Sequence, residues 1–159
     1  MIYIFVVMGL EQEIGAKFIS ENHKMMVNIR HTANVILQHQ NKFVEEFDLS
    51  MPQFNILRIL RGAREAITVQ TIKDRMIEKS PNTTRLLDKL MDKRLISRTQ
   101  SENDRRSFYI SITAKGLAIL AEIDQKIEGS SLIPNILENE EAVLLNHLLD
   151  KLRAGYSSK

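Results

Sequence analysis

The feature that most constrains this chain of 159 residues is a helix start at Ser80 and Pro81. Serine is a favoured N-cap residue, and proline is tolerated at the first helical position because its missing N–H would have no partner there. The residues that follow place apolar side chains at helical spacing, at Leu86, Leu87, Leu90 and Met91. The sequence therefore predicts a helix over residues 80–93 that has a polar, basic first turn and an apolar stripe.

A shorter helix is predicted directly upstream, from Thr68 to Met76, with its apolar face at Val69, Ile72 and Met76. Residues 77–79 alone separate it from Ser80, and two helices joined by so short a turn form a helix-turn-helix pattern. In that pattern the second helix is the one whose first turn enters a DNA groove. Taken alone, the second helix is equally compatible with an ordinary surface helix.

A β-hairpin is predicted immediately after these helices. Residues 95–99 form its first strand, and the second strand alternates with Phe108, Ile110 and Ile112 on one side. The turn between the strands, residues 101–106, is polar and contains two adjacent arginines. Ile67 is expected to add a third, very short strand. A helix-turn-helix followed by a hairpin is a winged helix.

Three segments of this region resemble the MarR family of bacterial transcriptional regulators. The first is the wing with the turn that follows it, namely Asp104-Arg105-Arg106 and Thr113-Ala114-Lys115-Gly116. The second is residues 49–60, which precede the helix-turn-helix, and the third is residues 85–90 of the second helix. The resemblance covers about residues 20 to 153. One departure is Arg94, where the family usually has a glycine that supplies a left-handed C-cap. An arginine there implies a different helix termination or local strain.

Long helical patterns with apolar stripes flank the winged helix, over residues 11–47, 113–127 and 139–152. These stripes exceed what a small lobe needs, and a second copy in a two-fold dimer would bury them. The resemblance implies the same arrangement, whereas the alternative is that the helices pack on their own domain. We therefore expect a mainly α fold with a small β-hairpin wing. Dimerisation helices at 1–48 and 113–159 would flank a winged helix-turn-helix lobe at 49–112, within one structural domain.

The chain begins with an apolar run at residues 1–8. It is too short to span a bilayer and lacks the basic leader and cleavage site of a signal peptide. We interpret it as part of a dimer contact or as a short arm, and the alternative interpretation is that translation begins at Met8. We expect a cytoplasmic protein with no membrane partner.

Positive charge is concentrated on the segment that we expect to contact DNA. Residues 73–106 hold ten Lys/Arg against six Asp/Glu, whereas the rest of the chain is slightly acidic and the formal net charge is only +2. Such an offset is the electrostatic pattern expected of a phosphate-binding surface. A solvated mixed-charge surface is the alternative, since an offset of this size can arise by chance.

The predicted DNA-binding residues lie on the second helix and on the wing. Asn, Thr and Arg side chains suit adenine, the thymine methyl group and guanine respectively. A hairpin arginine suits a narrow minor groove, and a carboxylate two residues before it can hold its guanidinium in place. By resemblance, Asp104 and Arg106 form the family's wing pair and Arg105 contacts phosphate. The full set is Ser80, Asn82, Thr83, Thr84, Arg85, Arg98, Asp104, Arg105 and Arg106.

Several other functions are disfavoured by residue types and spacing. The chain has no cysteine, so it forms no disulfide, thiolate metal site or thiol switch. His23, His31 and His39 are eight residues apart, which gives a poor common helix face for a metal ion. The sequence contains neither a Gly-rich phosphate loop nor a Gly-x-Ser-x-Gly elbow. We therefore expect neither an enzyme nor a bound metal or cofactor.

The sequence thus predicts a homodimeric regulator whose partner is double-stranded DNA with a palindromic operator. Helix 80–93 would enter the major groove and wing 95–112 the minor groove. The resemblance further implies a repressor released by a small ligand, bound near Arg30, His31 and Asn34, although no motif identifies the pocket residues. The rival hypothesis is a winged-helix protein-interaction module without sequence-specific DNA binding, because fold does not determine function.

Overall fold

The computed structural model describes residues 8–77, 82–100, 108–127 and 132–157. The elements in chain order are α1 (Leu10–Ile14), α2 (Glu21–Glu45), α3 (Met51–Ala63), β1 (Ile67–Thr68), α4 (Val69–Arg75), α5 (Thr83–Asp92), β2 (Ile96–Gln100), β3 (Phe108–Ile112), α6 (Ala114–Ile127) and α7 (Asn139–Ser157). The strands form an antiparallel sheet in the order β1-β3-β2. The expected mainly helical fold with a small β-hairpin wing is confirmed, including the third strand at Ile67.

The N-terminal helical pattern is divided where Ser20 occurs. Ser20 is the N-cap of α2, and its hydroxyl accepts a hydrogen bond from the His23 N–H at 3.2 Å. The short helix α1 folds back onto α2, where Lys24 Nζ lies 2.6 Å from Glu11 Oε1 and His31 Nε2 lies 3.0 Å from Glu13 Oε1. The hydrogen bond from Lys24 lowers the pKa of Glu11 and raises the pKa of the lysine itself. Residues 1–7 of the apolar run lie outside the described residues.

Helix α3 is the centre of the lobe. It begins with a capping box in which the Gln53 side chain accepts from the Ser50 N–H at 3.0 Å. It contacts α2, α4, α5, α6 and β3, so most of the other elements are arranged around it. Its inward face is fully buried, with Phe54, Ile56, Leu57 and Leu60 among the core residues. Burying these four large side chains stabilises the lobe by about 1.5–3 kcal/mol each.

Helix α5 ends in a left-handed C-cap. The Leu95 N–H donates to the Leu90 carbonyl at 3.0 Å and the Arg94 N–H donates to the Met91 carbonyl at 2.8 Å, which is the paired pattern of such a cap. Leu90 and Leu95 are both buried, as the accompanying apolar contact requires. Arg94 has φ +59°, so the helix ends as it would with glycine and the arginine adopts the strained conformation. Of the two expectations for Arg94, local strain is the correct one.

The end of α5 is tied to the start of α6. The Thr113 N–H donates to the Leu95 carbonyl at 3.0 Å, and the Thr113 hydroxyl donates to the Arg94 carbonyl at 2.8 Å. The same hydroxyl accepts from the Gly116 N–H at 3.1 Å. A β-carbon on Gly116 would lie 2.3 Å from the Leu95 carbonyl oxygen. Thr113 and Gly116 therefore allow the backbone of α6 to meet the turn after α5 at close range.

We predict that Arg94→Gly stabilises the protein. Glycine adopts a positive φ without the steric cost that an L-residue carries, so the free energy of unfolding should rise by about 1 kcal/mol. Arg94→Ala is the matched control, because alanine removes the charge and the long side chain but keeps a β-carbon. Thermal and urea unfolding should show a gain for glycine alone, and an equal gain for alanine would contradict backbone strain as the cause.

We also predict that Gly116→Ala destabilises the protein by about 1–3 kcal/mol, since the added carbon meets backbone that cannot move aside freely. Gly62 provides the control: it lies inside α3, and beyond its own stretch of helix no atom lies within 4 Å of its added β-carbon. Gly62→Ala should leave stability unchanged or raise it by up to about 1 kcal/mol. Equal effects of the two substitutions in urea unfolding would show that the contact between α6 and the α5–β2 turn is not tight.

Candidate nucleic-acid interface

The helix-turn-helix is formed by α4 and α5. Thr68 caps α4 by accepting from the Thr71 N–H at 3.1 Å, and Ile72 and Met76 turn into the core as their spacing predicted. Helix α5 begins at Thr83, and Asn82 occupies its N-cap position. The prediction that Ser80 caps this helix is therefore wrong, because Asn82, itself a favoured cap residue, stands directly before the first helical turn. Ser80 and Pro81 lie outside the described residues.

The exposed side of α5 carries three of its four predicted reader residues. Asn82, Thr84 and Arg85 are exposed. Thr83 is only 1% exposed, so the expectation that its side chain points outward is wrong. The reason is helical spacing: Thr83 lies four residues before the buried Leu87 and seven before the buried Leu90, which places all three on one helix face. That spacing is visible in the sequence and is the signal that identifies Thr83 as a core residue.

The wing is the hairpin of β2 and β3. Arg98 pairs with Ile110, and Gln100 pairs with Phe108. Ile110 is 1% exposed and Ile96 is 3% exposed, so one side of the hairpin packs against the lobe. The predicted alternation in β3 is confirmed. The remaining wing residues of the predicted interface, Asp104, Arg105 and Arg106, lie outside the described residues.

Arg98 makes a contact that sequence reasoning missed. Its guanidinium carbon lies 3.4 Å from the centre of the Phe108 ring, which is a stacked cation–π arrangement. Arg98 is exposed and Phe108 is half-buried. The alternation in β3 placed Phe108 on the same side of the strand as Ile110 and Ile112 and gave its ring no further role. The missing signal was the register, because the two residues become diagonal cross-strand neighbours once Arg98 is opposite Ile110.

The cations of this region do not all belong to one surface. Lys93 Nζ lies 2.9 Å from Asp48 Oδ2 and also donates to the Asp48 carbonyl, so it links α5 to the turn between α2 and α3. Lys115 Nζ donates to the Lys93 carbonyl at 3.0 Å, which uses it at the base of α6. The exposed cations of α5 and the hairpin among the described residues are Arg85, Lys89 and Arg98.

Comparison with known proteins identifies the family. The MarR family profile matches residues 49–108, which include α3, β1, α4, α5 and β2. The regulator SarZ from Staphylococcus aureus is 31% identical over 116 residues, 71% of this chain and 76% of that protein. The regulator MhqR from Bacillus subtilis is 29% identical over 138 residues, covering 86% of this chain and 92% of that protein. This chain belongs to the MarR family. Its relatives are named as transcriptional regulators rather than as enzymes.

A solved MarR-family structure agrees with this assignment. A mutant of MarR from E. coli, crystallised in complex with operator DNA, superposes with a TM-score of 0.73 at 25% identity, covering 86% of this chain and 99% of that chain. This MarR-family chain therefore has the same winged-helix architecture as a protein that was crystallised in complex with operator DNA.

The described residues also bear on cofactors and membranes. Within them, no three His, Cys, Asp or Glu side chains come together as a metal ion requires. None of the described helices is both long enough and apolar enough to cross a bilayer.

An open groove of about 460 Å³ lies between α5 and the turn joining α2 to α3. Its lining is of mixed charge and does not include Arg30, His31 or Asn34, where the resemblance suggested a ligand.

Proposed function

We propose that this MarR-family chain is a homodimeric, DNA-binding transcriptional regulator that recognises a palindromic operator. The observation that carries the proposal is the exposed start of α5, where Asn82, Thr84 and Arg85 face solvent. The apolar face of the same helix is buried in the lobe. Hydrogen-bonding side chains at the start of a helix are what major-groove reading requires. The E. coli MarR complex with operator DNA supports the same use of this architecture.

The proposal of a dimer rests on unburied apolar surface. None of the described residues of α7 is buried. The exposed apolar side chains of α7 and the segment before it are Ile133, Ile136, Leu137, Val143, Leu144, Leu145, Leu148 and Tyr156. A two-fold partner would cover this surface, and residues 1–48 and 113–159 would then serve as dimerisation helices around the lobe at 49–112.

In the proposed complex each subunit places α5 in a major groove and its wing along the adjacent minor groove. Asn82, Thr84 and Arg85 contact base edges or backbone, whereas Thr83 supports the helix from inside. Arg106 enters the minor groove, Asp104 orients it, and Arg98 and Arg105 contact phosphate. The half-sites are centred about one helical turn apart, roughly 10 base pairs.

We further propose that the regulator is a cytoplasmic repressor released by a small ligand. Release requires only that the ligand favours a spacing of the two α5 helices that does not match the operator. The connection between Thr113 and the turn after α5 supports such coupling, because it joins α5 to a helix of the proposed dimer interface. Selection of preferred duplexes from a random pool tests for a palindromic operator. Titration of the selected complex with aromatic and anionic compounds then tests for release by a ligand.

We predict that Arg85→Ala and Arg106→Ala each weaken binding to the selected duplex. If each arginine neutralises one phosphate, the dependence of log affinity on log salt should become shallower by about two units per substitution, because the dimer loses the arginine from both subunits. The measurement is fluorescence anisotropy over a salt series. Arg58→Ala, at an exposed position of α3, is the charge-matched control and should leave the slope unchanged. An equal change of slope in all three variants would show that Arg85 and Arg106 act through the overall charge of the protein and make no specific phosphate contact.

We predict that Leu144→Ser combined with Leu148→Ser shifts the protein from dimer towards monomer. These two side chains are one helical turn apart on α7 and are 58% and 51% exposed in the single chain, so they should lie in the interface. Analytical ultracentrifugation measures the shift. Glu140→Ser is the control, as it removes an exposed polar side chain of the same helix. A wild-type protein that sediments as a monomer at micromolar concentration would refute the dimer.

Capture of a protein partner without duplex affinity would instead favour an interaction module.

A further inference from the structure

We propose that Phe108 is a positioning residue that holds the Arg98 guanidinium ready for the DNA backbone. The inference rests on the proposed function, because it concerns how the wing presents one of its cations. It assigns a role to a ring that the alternating pattern of β3 placed only on the same side as Ile110 and Ile112. Phe108 itself need not touch DNA.

The geometry brings these two side chains together on one face of the hairpin. Arg98 is opposite Ile110, and Phe108 is opposite Gln100, so Arg98 and Phe108 are diagonal neighbours. Because Ile110 and Ile96 on the same face are buried, this face turns towards the helices. The stacked pair therefore continues the inner face of the wing beyond the core. It stands on the side of the hairpin where α4 and α5 lie.

Stacking leaves the chemically useful part of arginine available. The ring covers one flat face of the guanidinium at 3.4 Å, whereas the five N–H donors lie around its perimeter. A phosphate can therefore accept hydrogen bonds in the guanidinium plane while the stack persists. A flexible arginine loses rotamer freedom when it binds, and an arginine already held against a ring loses less. The expected benefit of Phe108 is thus tighter binding at an unchanged number of phosphate contacts.

The position of Phe108 suits this role better than a purely structural one. It is half-buried, unlike Ile110, so truncating it removes little from the core. It is also the first residue of β3 and lies next to the segment 101–107 that carries the predicted wing pair. A change there can alter the presentation of Arg98 without unfolding the lobe.

The test is a double-mutant cycle on the full-length protein with a duplex recovered from the random pool. Phe108→Leu should weaken binding about five- to thirtyfold, because the proposed dimer carries two such pairs and one exposed cation–π contact supplies about two- to fivefold. Phe108→Tyr should retain wild-type affinity because it keeps the ring. In an Arg98→Ala background, Phe108→Leu should have no further effect. The salt slope should become shallower by about two units for Arg98→Ala, which removes one contact from each subunit, and should stay near wild type for Phe108→Leu.

A readout on the free protein separates positioning from folding. In the wild type the Arg98 side-chain resonances should show a ring-current shift that Phe108→Leu removes while the melting temperature stays the same. The inference fails if Phe108→Leu costs the same affinity with and without Arg98, or costs none. If the wild type binds no duplex under any condition, the proposed function itself fails. A loss of melting temperature that parallels the loss of affinity would make Phe108 a structural residue and overturn the proposal.

Discussion

The fold of this protein depends on the close contact between the end of α5 and the start of α6. A left-handed turn at Arg94 brings Leu95 back over Leu90, and Thr113 then hydrogen-bonds both the Arg94 and the Leu95 carbonyls. Gly116 permits this approach because its missing β-carbon leaves room for the Leu95 carbonyl. One small region thus sets the direction of the second helix of the helix-turn-helix, the start of the wing and the exit of α6.

The same contact relates the two halves of the chain. On one side lies the lobe around α3, which has a complete apolar core. On the other side lie α7 and the segment leading to it, where large apolar side chains remain in water. A chain that leaves so much apolar surface uncovered has its lowest free energy only when something covers it. The proposed second copy would therefore complete the fold, and the short route through Thr113 would make the spacing of two α5 helices sensitive to how the copies pack.

Most of the architecture could be predicted from local patterns. The apolar spacing of α4 and the alternation of β3 each indicated an element that the structure contains, because each reports burial on one face. Features that depend on contacts between distant residues could not be predicted in this way. The stack of Arg98 on Phe108 requires the register of two strands, and the contact at Gly116 requires the path of the chain after α5. The start of α5 was misplaced because Ser80 and Asn82 are both suitable caps and local chemistry does not decide between them.

The burial of Thr83 has a consequence for how variants of this regulator should be interpreted. Thr83 is adjacent to the exposed Thr84 and Arg85, yet its side chain belongs to the interior of the lobe. An allele with a bulky or charged residue at position 83 would lose activity through a weakened lobe, so its phenotype should be temperature-sensitive and reversible by second-site stabilising changes. If Thr84 and Arg85 contact DNA as proposed, alleles at positions 84 and 85 would instead be defective at every growth temperature. Neighbouring codons would therefore yield two genetically distinct classes of regulatory mutant.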